Sequence, residues 1–286
     1  MRFLTLTLAC ALSACAGSNG PPPPPPPPVT TLLGMHVSPS TMAQVLATEA
    51  PLGRKLDIVK WFPGFPPWGS TVIPLARQLV ASGRIPMLAL EPRIGTTGCA
   101  ALSDVSAGRY LSQLTAMAVS LNSLGALVWV ELFPEMTQSA MLCANPTMSP
   151  SVYIAAYRYV AGIIHANASN VKLVWSPGQP AFDSGIWPKW FPGPDVVDYS
   201  GEHIYNSTHI QEPFSAEICK LPTLAGKPTV IGETGAQGEA DQLAWLGNVR
   251  AACPNLYAFV YFDAGNPTYN YILTPPAIAA FKTIGS

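Results

Sequence analysis

Charged residues are scarce in this sequence. Asp, Glu, Lys and Arg make up 11% of its 286 residues, and the formal net charge is −1 at pH 7. No run of basic residues is present, so the electrostatic attraction that nucleic-acid binding requires is missing. No Cys-x-x-Cys pair occurs, which argues against zinc and thioredoxin-type sites. We therefore expect neither a nucleic-acid partner nor a bound metal.

Two common catalytic motifs are also missing. The glycine series Gly232-x-x-Gly235-x-x-Gly238 lacks the lysine of a phosphate-binding loop. No Gly-x-Ser-x-Gly motif occurs, which argues against serine-esterase chemistry. We expect no cofactor. Hydrophobic residues, by contrast, reach 49%, which is enough for the large core of one α/β barrel or of two small domains.

The N-terminal segment has the pattern of an export signal. One positive charge at Arg2 precedes the apolar stretch 3–12, which is too short to span a bilayer as a helix. The tetrapeptide Leu12-Ser13-Ala14-Cys15 resembles the lipobox of bacterial lipoproteins, in which the signal is cut before a cysteine that then carries lipid. The alternative is an ordinary secretory signal with a chance cysteine.

A proline spacer follows this segment. Residues 21–28 are eight consecutive prolines, which as a polyproline helix extend roughly 25 Å. We therefore predict a signal peptide over residues 1–14, a lipidated Cys15 with a linker over 15–30, and a single domain over 31–286. The predicted location is a bacterial membrane, at the cell surface or in the periplasm.

Short apolar runs alternate with helical patterns along the domain. The runs are nearly continuous in hydrophobicity, as strands covered on both faces are. They span Leu33–Val37, Leu56–Phe62, Ile85–Glu91, Ala126–Phe133, Val171–Trp175, Val196–His203, Pro228–Glu233 and Tyr257–Asp263. Helix signals between them include the Ser149-Pro150 cap and the segments 241–252 and 276–284. Eight such units predict an α/β fold, a single-domain (β/α)8 TIM barrel. The competing open sheet usually has a glycine-rich turn after its first strand, and Met35-His36-Val37-Ser38 is not one.

The domain has four cysteines, which allow three disulfide pairings. On the barrel layout, Cys99 and Cys143 fall in neighbouring loops, and Cys219 and Cys253 fall in neighbouring helical segments. An exported protein meets oxidising conditions, so we favour the pairs 99–143 and 219–253. Buried free thiols are the alternative.

Carboxylates and aromatic residues collect at the ends of the predicted strands, where barrel active sites lie. Glu135 follows the fourth strand and Glu233 ends the seventh. Two carboxylates facing each other can cleave a glycosidic bond, and aromatic faces pack on sugar rings. Alternation along the strands places Trp129, Glu131, Phe133 and Glu135 on one side of the fourth, and Thr229, Ile231 and Glu233 on one side of the seventh. The predicted sugar contacts are Trp61, Glu91, Trp175, His203, Tyr205 and Tyr261.

Five segments in barrel order resemble glycoside hydrolase family 26, the β-mannanase family. They are 84–92, Glu135-Met136, 170–177, 191–205 and 227–235. The resemblance implies a retaining, endo-acting hydrolase of a β-linked polysaccharide, with β-mannan as the first expected substrate. Glu135 would be the acid/base and Glu233 the nucleophile, and Tyr205 would hydrogen-bond Glu233. The chain departs from the family where an Arg and a His are usual, at Glu131 and Pro134.

These departures leave other functions open. Because an acid deep in the barrel needs a partner, we expect Glu131 to form a structural ion pair with Lys60. The alternatives are a β-glucanase or xylanase of the same clan, or a catalytically inactive surface lipoprotein that binds carbohydrate. The predicted partners are a polysaccharide and the membrane, and the expected state is a monomer.

Overall fold

The computed structural model describes residues 30–38, 40–65, 69–94, 98–138, 148–206, 219 and 226–285, without the side chains of 69–71 and 99. The predicted signal peptide, Cys15, the proline spacer and the pair 99–143 lie outside what the structure describes. Within the described residues, the expected TIM barrel is confirmed.

Eight parallel strands form a closed barrel in which each strand pairs with its neighbours in the chain and the last pairs with the first. The strands are β1 (Leu32–His36), β2 (Ile58–Trp61), β3 (Ile85–Leu90), β4 (Val128–Leu132), β5 (Val171–Trp175), β6 (Tyr199–Asn206), β7 (Thr229–Ala236) and β8 (Leu256–Tyr261). All eight predicted strands are present, with ends that differ by a few residues.

Helices cover the outside of the barrel. They are α1 (Met42–Leu52), α2 (Gly69–Ala81), α3 (Leu102–Ser106), α4 (Leu111–Asn122), α5 (Pro150–Asn167), α6 (Gln179–Asp183), α7 (Glu239–Ala252) and α8 (Pro275–Ile284), with a 3-10 turn at Trp187–Trp190. A short antiparallel pair joins Arg93–Ile94 to Gly98–Cys99. The predicted cap of α5 is confirmed, since Ser149 Oγ accepts the Val152 N–H. Among the described helices, none is both long and apolar enough to cross a bilayer.

The barrel has two apolar layers. Alternate strand residues fill its interior, and this set comprises Ile58, Met87, Trp129, Val174, Val230, Ala258 and Val260. The intervening residues, such as Val59, Leu88 and Val130, pack against the helices. Lys60 and Glu131 follow Ile58 and Trp129 by two residues, so both point into the barrel above the inner layer.

One predicted disulfide is confirmed. Cys219 and Cys253 are bonded, and their Cα atoms lie 5.4 Å apart. The bond ties the residue after α7 to a segment that precedes β7.

Candidate active site

A cavity of about 490 Å³ opens at the carboxyl ends of the strands. Four of the predicted site residues line it, namely Glu91, Glu135, Tyr205 and Glu233. The other lining residues are His36, Phe62, Arg93, Gln138, Phe262, Tyr269 and Tyr271. Carboxylates and aromatic rings thus meet at one mouth, as the strand ends predict.

A backbone irregularity places Glu135. β4 ends at Leu132, and Phe133 and Glu135 then adopt positive φ angles of 48° and 54°, a region that costs energy for residues other than glycine. Phe133 turns outward and packs against Phe65, so the expectation that it shares a face with Glu131 and Glu135 is wrong. The Glu135 N–H donates to the Ser176 carbonyl at 3.0 Å, which holds the carboxyl-bearing residue at the mouth.

A β-bulge places Glu233. The register of β7 against β6 shifts by one residue, so that Glu202 pairs with Ile231 but His203 pairs with Glu233. Ile231, which precedes the shift, packs outside the barrel, whereas Glu233, which follows it, lines the cavity, so the predicted alternation of Thr229, Ile231 and Glu233 is wrong. The extra residue lets two successive positions face the interior.

Gly232 is required at this bulge because the space beside it is taken. A Cβ atom there would lie 2.5 Å from Glu131 Oε1 and 2.6 Å from Ser176 Oγ. At Gly235 a Cβ would lie 2.8 Å from the Tyr271 ring. The glycines of this strand thus make room for the site instead of cradling a phosphate.

The two glutamates lie side by side. One oxygen of Glu135, one ring nitrogen of His203 and one oxygen of Glu233 lie within 4.8 Å of one another. Both glutamates are largely buried, each with 7% of its surface exposed. Separations of about 5–5.5 Å are found in retaining glycosidases and about 6.5–9.5 Å in inverting ones.

Glu233 is held in its ionised form. Lys60 Nζ lies 2.9 Å from Glu233 Oε2, and the predicted hydrogen bond from the Tyr205 hydroxyl to Glu233 Oε1 is present. Burial by itself would raise the pKa of Glu233, but the charges of Lys60 and His203 and the Tyr205 bond outweigh it, so that the pKa falls below its ordinary value.

Behind the pair lies a buried ionic cluster. The predicted pair of Lys60 and Glu131 is confirmed, with Nζ 2.7 Å from Oε2, and His203 Nε2 lies 2.9 Å from Glu131 Oε1. Burial by itself would raise the pKa of Glu131, but His203 and Lys60 outweigh it and lower the pKa to about 2. Burial lowers the pKa of His203, but Glu131 leads the opposing effects and the value rises to about 10. Glu131 therefore carries a negative charge that is in contact with both the Lys60 ammonium and the His203 ring.

Glu91 is a third carboxylate in the cavity. Its Oε2 lies 3.0 Å from Arg93 Nε. Burial raises its pKa, Arg93 opposes this, and the charges of Glu233 and Glu135 raise it further. A less acidic carboxyl beside Glu135 and Glu233 can donate or accept a hydrogen bond.

The aromatic wall of the cavity differs from the predicted one. His36 stacks on Phe262 with ring centroids 4.5 Å apart, and burial leads the effects that lower the His36 pKa to about 4. Tyr269 and Tyr271 stack on each other at 5.1 Å. These two tyrosines lie in the loop after β8, which the Tyr271 N–H to Ala264 carbonyl bond closes at 3.0 Å.

Three predicted sugar contacts are corrected. Trp61, Trp175 and Tyr261 are at most 3% exposed and pack in the layer between strands and helices. Each lies on the outward face of its strand, and the following residues Phe62 and Phe262 reach the cavity instead. The signal was present in the sequence, since Phe62 and Phe262 directly follow the strand ends. His203 lies beneath the cavity, against Glu135.

Three side chains of the site are of the types that bind metal ions. Glu135, His203 and Glu233 are close enough to share one, and Lys60 Nζ stands 2.9 Å from Glu233. The Lys60 ammonium thus already contacts one carboxylate of this group.

Comparisons with known proteins agree with this architecture. No protein-family profile matches the sequence. The chain is 27% identical over 252 residues to Endoglucanase H of Acetivibrio thermocellus, covering 80% of this chain and 27% of that protein. It thus spans about a quarter of the length of that curated relative.

Solved structures give the fold. A family 26 β-mannanase from Bacteroides ovatus matches with a TM-score of 0.67 and 19% identity, over 89% of this chain and 87% of that one. The family 26 domain of a Prevotella bryantii endo-β-mannanase/endo-β-glucanase matches with a TM-score of 0.63 and 15% identity, over 88% of each chain. The chain has the fold of the family 26 glycoside hydrolases. Glu135 lies just after β4 and Glu233 lies within β7, the two strands on which the sequence resemblance predicts the acid/base and the nucleophile.

Proposed function

We propose that this chain is a retaining glycoside hydrolase that cleaves a β-linked polysaccharide internally, with β-mannan as the first candidate substrate. The observation that carries the proposal is the pairing of Glu135 and Glu233, whose nearest oxygens lie within 4.8 Å in a cavity lined by aromatic rings. That spacing leaves no room for a water molecule between nucleophile and sugar, which inversion would require.

In this proposal each glutamate has its own role. Glu233, kept ionised by Lys60 and Tyr205, attacks the anomeric carbon while Glu135 gives its proton to the departing glycosidic oxygen. The bond from carbon to the leaving oxygen breaks as the bond to the Glu233 oxygen forms. Water then attacks the same carbon, Glu135 takes its proton, and Glu233 leaves as a carboxylate.

The cavity suits a sugar ring. Phe62, Phe262 and Tyr271 present aromatic surface, and Glu91 with Arg93 presents polar groups. Apolar faces with a few placed polar groups are typical of carbohydrate sites. The names of the relatives include both mannanase and endoglucanase, so the experiment compares β-mannan with β-glucans.

The test measures reducing-sugar release by the domain from residue 29 onward on galactomannan, mixed-linkage β-glucan, β-1,3-glucan and xylan. Its controls are Glu233→Ala and, for an acid outside the cavity, Asp195→Ala. We expect release from one of these polymers, lost in Glu233→Ala and kept in Asp195→Ala. Equal, null rates from folded samples of all three proteins would reject the hydrolase and favour a carbohydrate-binding barrel.

We further propose that the protein is an exported lipoprotein attached through Cys15. The tetrapeptide before Cys15 and the proline run after it support this. Expression of the full chain in a bacterium, beside Cys15→Ser, tests it. We expect the native chain in the membrane fraction with a lipid mass on its N-terminal cysteine, and the variant without that mass. A native chain that stays unlipidated would reject the anchor.

We also propose that the enzyme acts as a monomer, because its active-site groups all come from one barrel. Light scattering during size-exclusion chromatography of the domain tests this, with a dimer mass as the contradicting result.

A further inference from the structure

The deepest feature of the site is a histidine between two glutamates. His203 is 2% exposed. Its Nε2 lies 2.9 Å from Glu131 Oε1 and its Nδ1 lies 3.2 Å from Glu135 Oε1. The ring therefore connects the buried ionic cluster to the residue proposed as acid/base.

Glu131 determines which ring nitrogen of His203 carries a proton. An ammonium group has three N–H donors, and those of Lys60 have three acceptors within reach: Glu131 Oε2 at 2.7 Å, Glu233 Oε2 at 2.9 Å and the Gly232 carbonyl at 3.0 Å. His203 Nε2 is a fourth neighbour at 3.2 Å, farther from Lys60 Nζ than these three acceptors, and it lies closer to Glu131 Oε1, at 2.9 Å. Since the ionised Glu131 only accepts, Nε2 must carry a hydrogen and donate it to Glu131.

The other ring nitrogen then faces Glu135. If Nδ1 were bare and Glu135 ionised, two lone pairs would meet at 3.2 Å. One proton must therefore lie in the pair, either on Nδ1 of an imidazolium or on the Glu135 carboxyl. Both arrangements hold the same number of protons, and both join Nδ1 to Glu135 Oε1 by a hydrogen bond.

Resting on the function proposed above, we propose that His203 is a positioning residue that shares a single proton with Glu135, and that Glu131 and Lys60 hold the ring in this role. The proton that cleavage needs is then stored beside the glycosidic oxygen. When it passes to the leaving group, ionised Glu135 faces the bare Nδ1 only in the covalent intermediate, where the repulsion between their lone pairs favours the uptake of a new proton. The proton of the attacking water refills the pair in the second step.

The surroundings favour retention of this proton. The charged or titratable groups around His203 are Glu131 from β4, Glu135 after β4, Lys60 from β2, Glu233 from β7, and Glu202 on its own strand β6. Burial and Lys60 lower the pKa of His203, while Glu131 and Glu233 raise it, and the result lies near 10. The His203 ring is therefore expected to keep its proton over the neutral range.

The first test needs no variant. Imidazole nitrogen NMR of the wild-type domain, titrated from about pH 5 to about pH 9, reports the protonation of each ring nitrogen. We expect His203 Nε2 to stay protonated throughout and the proton between Nδ1 and Glu135 to remain at neutral pH. A bare Nε2 at neutral pH would overturn the inference.

The second test compares two substrates, of which only one has a leaving group that must be protonated. His203→Asn keeps a polar group near Nδ1 but cannot store a proton, and His165→Asn on the exposed face of α5 is the matched control. For His203→Asn we expect kcat/KM on the polysaccharide to fall by about 100-fold, within the usual range of general-acid contributions. On a dinitrophenyl glycoside, whose leaving group needs no proton, we expect kcat/KM to stay within about threefold. The basic limb of the polysaccharide pH profile should move to lower pH.

The possible failures are separable. Equal losses on both substrates, or an unmoved basic limb, would show a merely structural histidine and overturn this inference alone, because Glu233→Ala would still abolish hydrolysis. A wild-type domain without activity would overturn the proposed function, and with it the catalytic role of His203.

Discussion

Replacing Lys60 with methionine should show how much the buried ion pairs of the site contribute to the free energy of unfolding. Lys60 is fully buried and lies 2.7 Å from Glu131 and 2.9 Å from Glu233. Methionine matches most of the volume of lysine and removes its charge. Lys60→Met therefore leaves Glu233 without a cation in contact, while Glu131 keeps His203 at 2.9 Å.

The magnitude follows from these contacts. At an effective dielectric constant of about 20, unit charges at such distances attract by about 6 kcal/mol per pair. Desolvation of the ammonium offsets much of this, and breaking a buried pair by removing one partner costs about 3–5 kcal/mol. Because Lys60 has two carboxylate partners, we expect a loss near the upper end, about 5 kcal/mol, which is a large part of the stability of a domain.

The assay is equilibrium unfolding in denaturant, with Lys172→Met as the matched control. Lys172 pairs with Asp198 at 3.0 Å, but both side chains are partly exposed, so we expect its removal to cost about 1 kcal/mol or less. A Lys60→Met chain that does not fold would agree with the prediction. A cost no larger than that of Lys172→Met would refute the reasoning.

Four further predictions concern single contacts. Tyr205→Phe should lower kcat/KM by about tenfold or more, because Glu233 loses a charge-assisted hydrogen bond. The acid limb of the pH profile should move to higher pH, and an unchanged profile would contradict this. The pKa of His203 is about 10 in the folded protein against an ordinary 6.5, so its contribution to stability is complete below pH 6.5 and is lost as the pH rises towards 10. His203→Asn should therefore flatten the pH dependence of the unfolding temperature between pH 6.5 and pH 10. Phe262→Ala should raise KM for the polysaccharide more than it lowers kcat, since stacking holds ground and transition states alike; a pure kcat effect would contradict it. Ser149→Ala should cost about 1 kcal/mol in denaturant unfolding through the lost cap, and no loss would refute the cap.

The barrel could be predicted because its strands are covered on both faces. Their residues are almost all apolar, so the runs stand out between helical segments with clear caps such as Ser149-Pro150. The meeting of Glu135 and Glu233 in one cavity could be predicted for a related reason. Acids are scarce in this chain, so a carboxylate at the end of an apolar run, such as Glu233, stands out as a candidate for a catalytic role.

The faces of the strands could not be predicted as reliably. A shift of one residue moves a side chain from one face to the other. The bulge at Gly232 and the positive φ at Phe133 each break the alternation, and both depend on packing across the barrel. The same sensitivity separates Trp61 from Phe62, of which only the second lines the cavity.

The cluster behind the site could be predicted in part. Glu131 in the barrel interior needs a cation, which identified Lys60 from the sequence. The bridging position of His203 depends on the register of β6 against β7, which only the folded structure shows.

The measurement that tests the central account most directly is azide rescue of two variants on an aryl glycoside of the cleaved sugar. In Glu233→Ala, azide should replace the nucleophile and give the α-glycosyl azide. In Glu135→Ala, azide should attack the covalent intermediate and give the β-glycosyl azide. Azide products of the opposite anomeric form would contradict the assigned roles, and no rescue of either folded variant would contradict the retaining mechanism.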